Sequence, residues 1–539
     1  MRAKAAKIAP YLILGLSFLL LVFLNIFCYD HWLDSDMAAE MMFSKVLAEE
    51  GHFFATPDWY YSTEFRFLYT HWIMGPLFHF FQRWHVIRAI TNILSYVLVL
   101  GAYFYCMKPL QVRRGLVVTT AAILLLPFSE TMMTHMVMGN TYLFHVIIAF
   151  FFFGLYLRLT GAGRNGQGGV RYVWLLLYLA LAFICGISGV RYLLALQCPL
   201  ALTGFVYLLR SVEFEQFREK LTAGNFKAQW IPLWKCTAMK YLGYSLLGVI
   251  GSAAGYAVNV LYVSRQYVFQ TYETTNFIAV YRGVFFERVQ NALGSLLMLF
   301  GYIPDRSVLS LRGVITLIAF VLLGVLVYVC VQTRKGSRGQ RLFVSLFLTV
   351  SLCVNLFVFV FTTSTMVPRY YITIFIFVLP VLCFWMERQE RYFDRAAVSV
   401  ILACCLLLAT GKTTLSYLTV DKNADRREVA AFLEENGYHF GYATYWNANI
   451  ITELTDGRVE IANVGDAEHL EYFQWSSPMK YYENGYAEGE VFLLLSGEET
   501  SEAAGTRTLQ GGRVVYESGA YTVLVYDSQE SLLSLAKSR

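Results

Sequence analysis

Three things are scarce or missing in this chain, and each absence excludes something. Charged side chains make up only 15% of the 539 residues, beside 57% hydrophobic ones. A water-soluble globular protein carries about a quarter charged residues, so the bulk of this chain does not belong in water. Cysteine does not occur beyond residue 405, and the ten present, from Cys28 to Cys405, lie in or beside apolar runs. No CxxC and no Cys/His zinc spacing occurs, which excludes a disulfide framework and a cysteine zinc site. A compartment that demands no disulfides suits a bacterial cell envelope better than a eukaryotic secretory lumen. Finally, there is no GxGxxG and no P-loop. No inner connection is long enough for a nucleotide-binding fold, so an activated substrate must arrive from the bilayer or from outside it.

What is present is a series of apolar runs near the length that crosses a bilayer core. They fall near 9–28, 86–107, 115–128, 141–158, 172–187, 191–209, 241–262, 312–332, 342–361, 370–386 and 396–411, and number eleven. Arg2, Lys4 and Lys7 precede the first, and no small-residue cleavage site follows it. An uncleaved anchor with its N-terminus in the cytoplasm is expected. Together with the N-terminus, the alternate connections then hold 22 of the 43 Lys and Arg residues, and the turn at 128–140 holds none. That is the positive-inside bias. The stretch 68–81 reads as a helix on the outer surface rather than a span, because a further crossing would put Lys108–Arg114 outside. The expected fold class is an α-helical polytopic membrane protein of about eleven transmembrane helices. Its N-terminus is inside and its C-terminus outside, with a small extracytoplasmic α/β domain.

The C-terminal stretch supports that division, into a membrane domain 1–411 and a soluble domain 412–539. Residues 412–539 hold twenty acids and ten basic residues, a net charge of −10, while the whole chain is at +5. A polar helix is expected at Asp425–Asn436, ended by Gly437. Strands are expected at Tyr442–Trp446, Val459–Val464, Val491–Ser496, Arg513–Glu517 and Tyr521–Asp527. The last two form a hairpin around Ser518-Gly519. Trp446 and Asn447, beside an expected turn, are candidates for carbohydrate recognition; a buried structural tryptophan is the plainer alternative.

The candidate chemistry gathers in the outer segments 29–85 and 263–311. Between the first two apolar runs stand Asp34 and Asp36, in DSDMAAEMMFSKVLAEEG, then Trp59, Glu64 and Arg66 in WYYSTEFRFL. Asp36 reads as the N-cap of a helix over Met37–Glu50, with Gly51 just past its end. Capping alone would account for it. Yet two carboxylates two residues apart at a membrane surface suit proton abstraction from a hydroxyl, or a shared divalent cation such as Mg or Mn. His31, His52, His71 and His79 lack metal spacing, and no metal ligand is assigned.

A chain that crosses once, places acids directly after that helix, adds surface helices, crosses many more times and ends in an outer mixed domain resembles the GT-C superfamily of membrane glycosyltransferases. Protein O-mannosyltransferases, aminoarabinose–lipid A transferases and oligosaccharyltransferase catalytic subunits belong to it. The architecture covers the membrane domain, and the motif covers only residues 30–70. The resemblance implies transfer of a sugar from a polyprenyl-phosphate donor, with a first-loop acid as general base. Asp36 is favoured and Asp34 stands second. Glu130 is the candidate for the family's second-loop acid.

Departure of a polyprenyl phosphate calls for cations. Arg66, Arg191, Arg282 and Arg369 are the candidates, with Tyr370 beside the last. Snorkelling to the interface is the ordinary explanation for Arg191 and Arg369. Gly186, Gly189 and Pro368, however, mark breaks at which backbone can line a cavity. Trp59 is equally a member of an interfacial aromatic belt. The expected reading is an inverting transferase in the cell membrane. Its acceptor would be an envelope glycan, lipid or protein, its environment membrane lipid, and no nucleic-acid partner is expected. A lipid flippase or solute transporter and a non-catalytic envelope assembly protein are the alternatives.

Overall fold

The computed structural model describes residues 2–139, 141–161, 168–222, 236–270, 275–280, 283–305, 307 and 309–537. Each of the eleven apolar runs coincides with a helical segment. Eight are long and apolar enough to cross a membrane, from Lys7–Phe27 to the helix that begins at Tyr392. A ninth is a bent pair, Pro368–Phe375 and Val378–Arg388, broken by 42°. The runs at 115–128 and 191–209 are the shorter helices Arg114–Leu124 and Leu193–Leu209. The protein is a multi-pass membrane protein.

Helices in lipid gain little from burying apolar surface, so close packing and internal hydrogen bonds hold them together. Glycine makes one such contact possible. A β-carbon on Gly186 would stand 2.0 Å from the Ser252 carbonyl oxygen, and one on Gly255 would stand 2.0 Å from that of Phe183. Helices Gly168–Ile187 and Thr237–Val258 therefore touch backbone to backbone, and Ser252 Oγ donates to the Ala182 carbonyl at 2.7 Å.

The 128–140 turn is not an open loop. It is a short helix, Glu130–Met132, that widens into a π-helical stretch, Met133–Met138. Its irregular carbonyls are met by amides inside the bundle. Asn25 Nδ2 donates to the Val137 carbonyl at 3.0 Å, and Asn92 Nδ2 donates to that of Met138 at 2.7 Å. Carbonyls left over by the wider π-helical turn are tolerated because protein groups satisfy them.

The C-terminal segment forms a five-stranded sheet in the order Glu460–Val464, Phe440–Thr444, Val491–Ser496, Tyr521–Tyr526, Arg513–Glu517. The first three strands are parallel and the last two antiparallel. The hairpin closes at Ser518, whose N–H donates to the Tyr521 carbonyl at 2.8 Å. The expected strand Tyr442–Trp446 is corrected. It starts at Phe440 and stops at Thr444, and Tyr445–Leu454 is a helix rather than a turn. Ala448, Ile450 and Ile451 are buried along it, so helical burial outweighs the strand preference of Tyr445 and Trp446.

This domain sits at the same end of the bundle as the first loop and is fastened to it. A three-stranded sheet joins Val268–Phe269, Trp59–Tyr61 and Ser477–Pro478, one strand each from the 263–311 segment, the first loop and the C-terminal domain. Beneath it, Arg88 on the second span and Glu453 form a buried pair, Nε to Oε1 and Nη2 to Oε2, both at 3.0 Å. Tyr29 adds its hydroxyl to the same carboxylate.

Candidate active site

The helix after the first span runs Ser35–Glu50 and ends, as expected, on Gly51 in the left-handed region at φ 70°. Its start corrects the expectation for Asp36. The cap is Asp34, whose Oδ1 accepts the Met37 N–H at 2.8 Å, and Asp36 lies in the first turn. Leu33, just before the cap, and Ala38 are buried in one apolar cluster, the staple arrangement that fixes a chain's entry into a helix. That anchoring moves the helix start forward and frees the Asp36 carboxylate. Asp36 is exposed, whereas Asp34 is half-buried.

Both face a cavity of about 680 Å3 between the first loop, the bundle and the C-terminal domain. The cavity is lined by Trp59, Glu64, Arg66, Glu130, Arg191, Arg369, Tyr370 and Trp446 as well. These residues are spread over the whole chain, and the fold brings them together. Of the described candidates, one is not there. Arg282 lies outside the described residues, and Asn447 is buried behind the wall, where Oδ1 accepts from Arg426 Nε at 3.1 Å and from the Tyr521 hydroxyl at 3.0 Å.

Asp36 is held from two sides. Tyr445 donates its phenol to Oδ1 at 2.8 Å, and Arg369 Nη1 lies 3.8 Å from Oδ2. Arg369 sits on the short turn Pro368–Tyr371 at the start of the bent helix pair, within ion-pair reach of the carboxylate. Burial, reinforced by the neighbouring Asp36 charge, lifts the Asp34 carboxyl to about 6, against the pull of the Met37 N–H. Asp34 is therefore raised into the range of a base at neutral pH, and Asp36 is the more accessible of the two.

Arg191 also turns inward. Its Nε donates to Glu64 at 2.6 Å and its Nη1 to the Tyr142 hydroxyl at 2.7 Å. The guanidinium lies 5.6 Å from the ring centre of Tyr370. Snorkelling is thus not its role. Arg66 Nη1 donates to Glu40 Oε1 at 3.0 Å, and Thr70 donates to Oε2 at 3.1 Å. Burial nonetheless pushes Glu40 up to about 7.

Several lining groups carry no strong local signal in the sequence. Lys422 stands 3.3 Å from Glu130 and 4.0 Å from the centre of the Trp32 ring. Arg426 donates to the Asn423 side chain at 2.9 Å, and Asn423 donates to the carbonyls of Asp30 and Leu33. His135 is kept neutral, its pKa lowered to about 4 by burial and by Arg369. Tyr445 stands next to the Trp446 singled out in the sequence, but only the helix start at 445 shows that it points back at Asp36.

Among the described residues no three His, Cys, Asp or Glu side chains gather as a metal set. Each acid here is already engaged, Asp34 by its cap, Asp36 by Tyr445, Glu64 by Arg191 and Glu130 by Lys422.

No protein-family profile matches the sequence, and no curated protein matches it. Solved structures do. The crystal structure of ArnT from Cupriavidus metallidurans bound to undecaprenyl phosphate aligns over 99% of this chain and 100% of its own, with a TM-score of 0.53 and 13% identity. The same protein in the apo state gives 0.51 and 12%, over 98% and 99% of the two chains. The oligosaccharyltransferase AglB from Archaeoglobus fulgidus, in complex with an inhibitory peptide and a dolichol phosphate, gives 0.49 and 11%, over 98% and 75%. At such identities the two ArnT likenesses are likenesses of fold alone: this chain shares the overall fold of that protein.

Proposed function

We propose that the protein is an inverting glycosyltransferase that moves a sugar from a polyprenyl-phosphate donor to an acceptor on the outer face of the cell membrane. The observation that carries this reading is one cavity that unites an exposed carboxylate, Asp36, with Arg66, Arg191, Arg369, Lys422 and Arg426. The GT-C fold, shared in outline with a protein bound to undecaprenyl phosphate, supports the choice of donor. The excess of Lys and Arg in the opposite connections supports the outer side.

In this mechanism the acceptor hydroxyl gives its proton to Asp36, and its oxygen attacks the anomeric carbon. The bond from that carbon to the phosphate oxygen breaks with inversion, and the phosphate leaves carrying the electron pair. A positioned base is worth about 10²–10⁴ in rate. Arg191 and Arg369, planar and always charged, suit contact with the departing phosphate. Tyr445 holds the carboxylate in place.

The test compares cells with and without the protein by mass spectrometry of envelope glycans and lipid-linked sugars. Loss of the protein should remove a glycan species and accumulate its polyprenyl-phosphate precursor. Asp36→Asn should fail to restore it although the protein inserts and folds. An unchanged glycan and lipid profile, or full restoration by the Asp34→Asn, Asp36→Asn double variant, would overturn the assignment.

A further inference from the structure

A second cavity, of about 580 Å3, opens in the C-terminal domain beside the first. It lies past the carboxyl ends of parallel strands. Thr444 ends Phe440–Thr444, Val464 and Gly465 close Glu460–Val464, and Glu499 and Glu502 follow Val491–Ser496. Open sheets of this kind take ligands in the crevice at that edge. Tyr445, Trp446 and Phe473 line both cavities and form the wall between them. The Tyr445 ring centre lies 5.4 Å from that of Trp446 and 5.8 Å from that of Phe473. Trp446 is 69% exposed, an unusual position for so large an apolar ring.

The two cavities differ sharply in charge. The first holds five cations, whereas among the described residues no Lys or Arg lines the second. Its ionisable lining is Asp466, Glu468, Glu499, Glu502 and His469. Two of the acids are spent on the fold. Glu499 accepts from Thr444 Oγ1 at 2.6 Å and the Ser496 N–H at 2.7 Å, and Asp466 caps Glu468 and His469. Glu468 and Glu502 remain exposed to the cavity.

We propose that this second cavity binds the part of the acceptor that extends beyond the reacting sugar, and that the acceptor is a neutral or amino-bearing saccharide chain. The inference rests on the transferase reading for its link to Asp36, though the binding itself does not. Aromatic faces along the wall suit the apolar faces of sugar rings, and the exposed carboxylates of Glu468 and Glu502 accept from hydroxyls or pair with amino groups. The same carboxylates repel phosphate- or carboxylate-rich polymers. Such polymers are disfavoured as acceptors even though the first cavity is cationic. A saccharide seated here passes Trp446 and presents its end to Asp36.

The test uses the full-length protein in lipid nanodiscs and saturation-transfer NMR. The probes are chitotriose in its N-acetylated and free-amine forms, an oligogalacturonate and an arginine-rich peptide. The chitotrioses should bind and the oligogalacturonate should not. Trp446→Ala should weaken the chitotrioses by roughly tenfold, with an unchanged melting temperature. The double variant Glu468→Lys, Glu502→Lys, altered only in the second cavity, should lose the free-amine form and gain the oligogalacturonate. Asp36→Asn should bind as the parent does, which separates this inference from the base assignment. Binding of no saccharide, saccharide binding that neither variant changes, or preference for the peptide would each overturn it.

Discussion

The phenol of Tyr445 donates a 2.8 Å hydrogen bond to Asp36 Oδ1 across 409 residues of chain. Burial and the Asp36 charge hold the Tyr445 pKa well above its ordinary value, so it stays a donor throughout the working range. A hydrogen bond to a charged group is worth about 1.5–3 kcal/mol. Tyr445→Phe should therefore lower the transfer rate by about 10–100-fold. Affinity for the acceptor should change little, and steady-state kinetics that separate kcat from KM will show the split.

Asp34 has two roles that one substitution can separate. Serine caps a helix nearly as well as aspartate. Asp34→Ser should keep the melting temperature within about 0.5 kcal/mol of stability, whereas Asp34→Ala should lose about 1 kcal/mol. A large loss of transfer in the serine variant would assign proton abstraction to Asp34, whose carboxyl burial raises, in place of Asp36.

The Arg88–Glu453 pair is buried on both sides and ties the C-terminal domain to the second span. Removing one partner leaves an unpaired buried charge, at a cost of about 3–5 kcal/mol. Glu453→Ala should lower the thermal midpoint in detergent and expose the cleft between the C-terminal domain and the bundle to protease. It should do so more than Lys480→Ala, which breaks only a 3.6 Å half-exposed contact with Glu49.

Glu40 gives a pH dependence whose sign follows from its burial. Its carboxyl is raised from 4.5 to about 7 in the folded protein, so the folded state holds a proton that the unfolded chain releases. The stabilisation is present below about 4.5 and is lost as pH rises to about 7. Glu40→Gln should flatten this slope in thermal unfolding measured across that window.

Most of the fold can be read in the sequence, because apolar runs and flanking charges act locally. The span that starts after Pro368 and the end of the helix Ser35–Glu50 on Gly51 come through clearly for that reason. The site is legible only in part. Asp34, Arg191 and Arg369 advertise themselves by standing at membrane boundaries. Lys422, Arg426 and Tyr445 look like ordinary residues of a soluble domain, since the contact that recruits them is between segments hundreds of positions apart. The cap is ambiguous in the sequence for a subtler reason. Asp34 and Asp36 are equally good caps by residue type, and the burial of Leu33 decides between them.

The sheet that joins Trp59–Tyr61, Val268–Phe269 and Ser477–Pro478 bears on the timing of assembly. Tyr60 pairs with Ser477, 417 residues later. At about 5–20 residues per second of synthesis, the first loop waits roughly 20–80 s for its last strand. During that interval the spans can insert, but the cavity lacks its C-terminal wall, its Lys422 and the tyrosine that orients Asp36. Chains cut short before residue 477 are therefore membrane-inserted and incomplete at the site, so the chemistry is confined to proteins that have been finished.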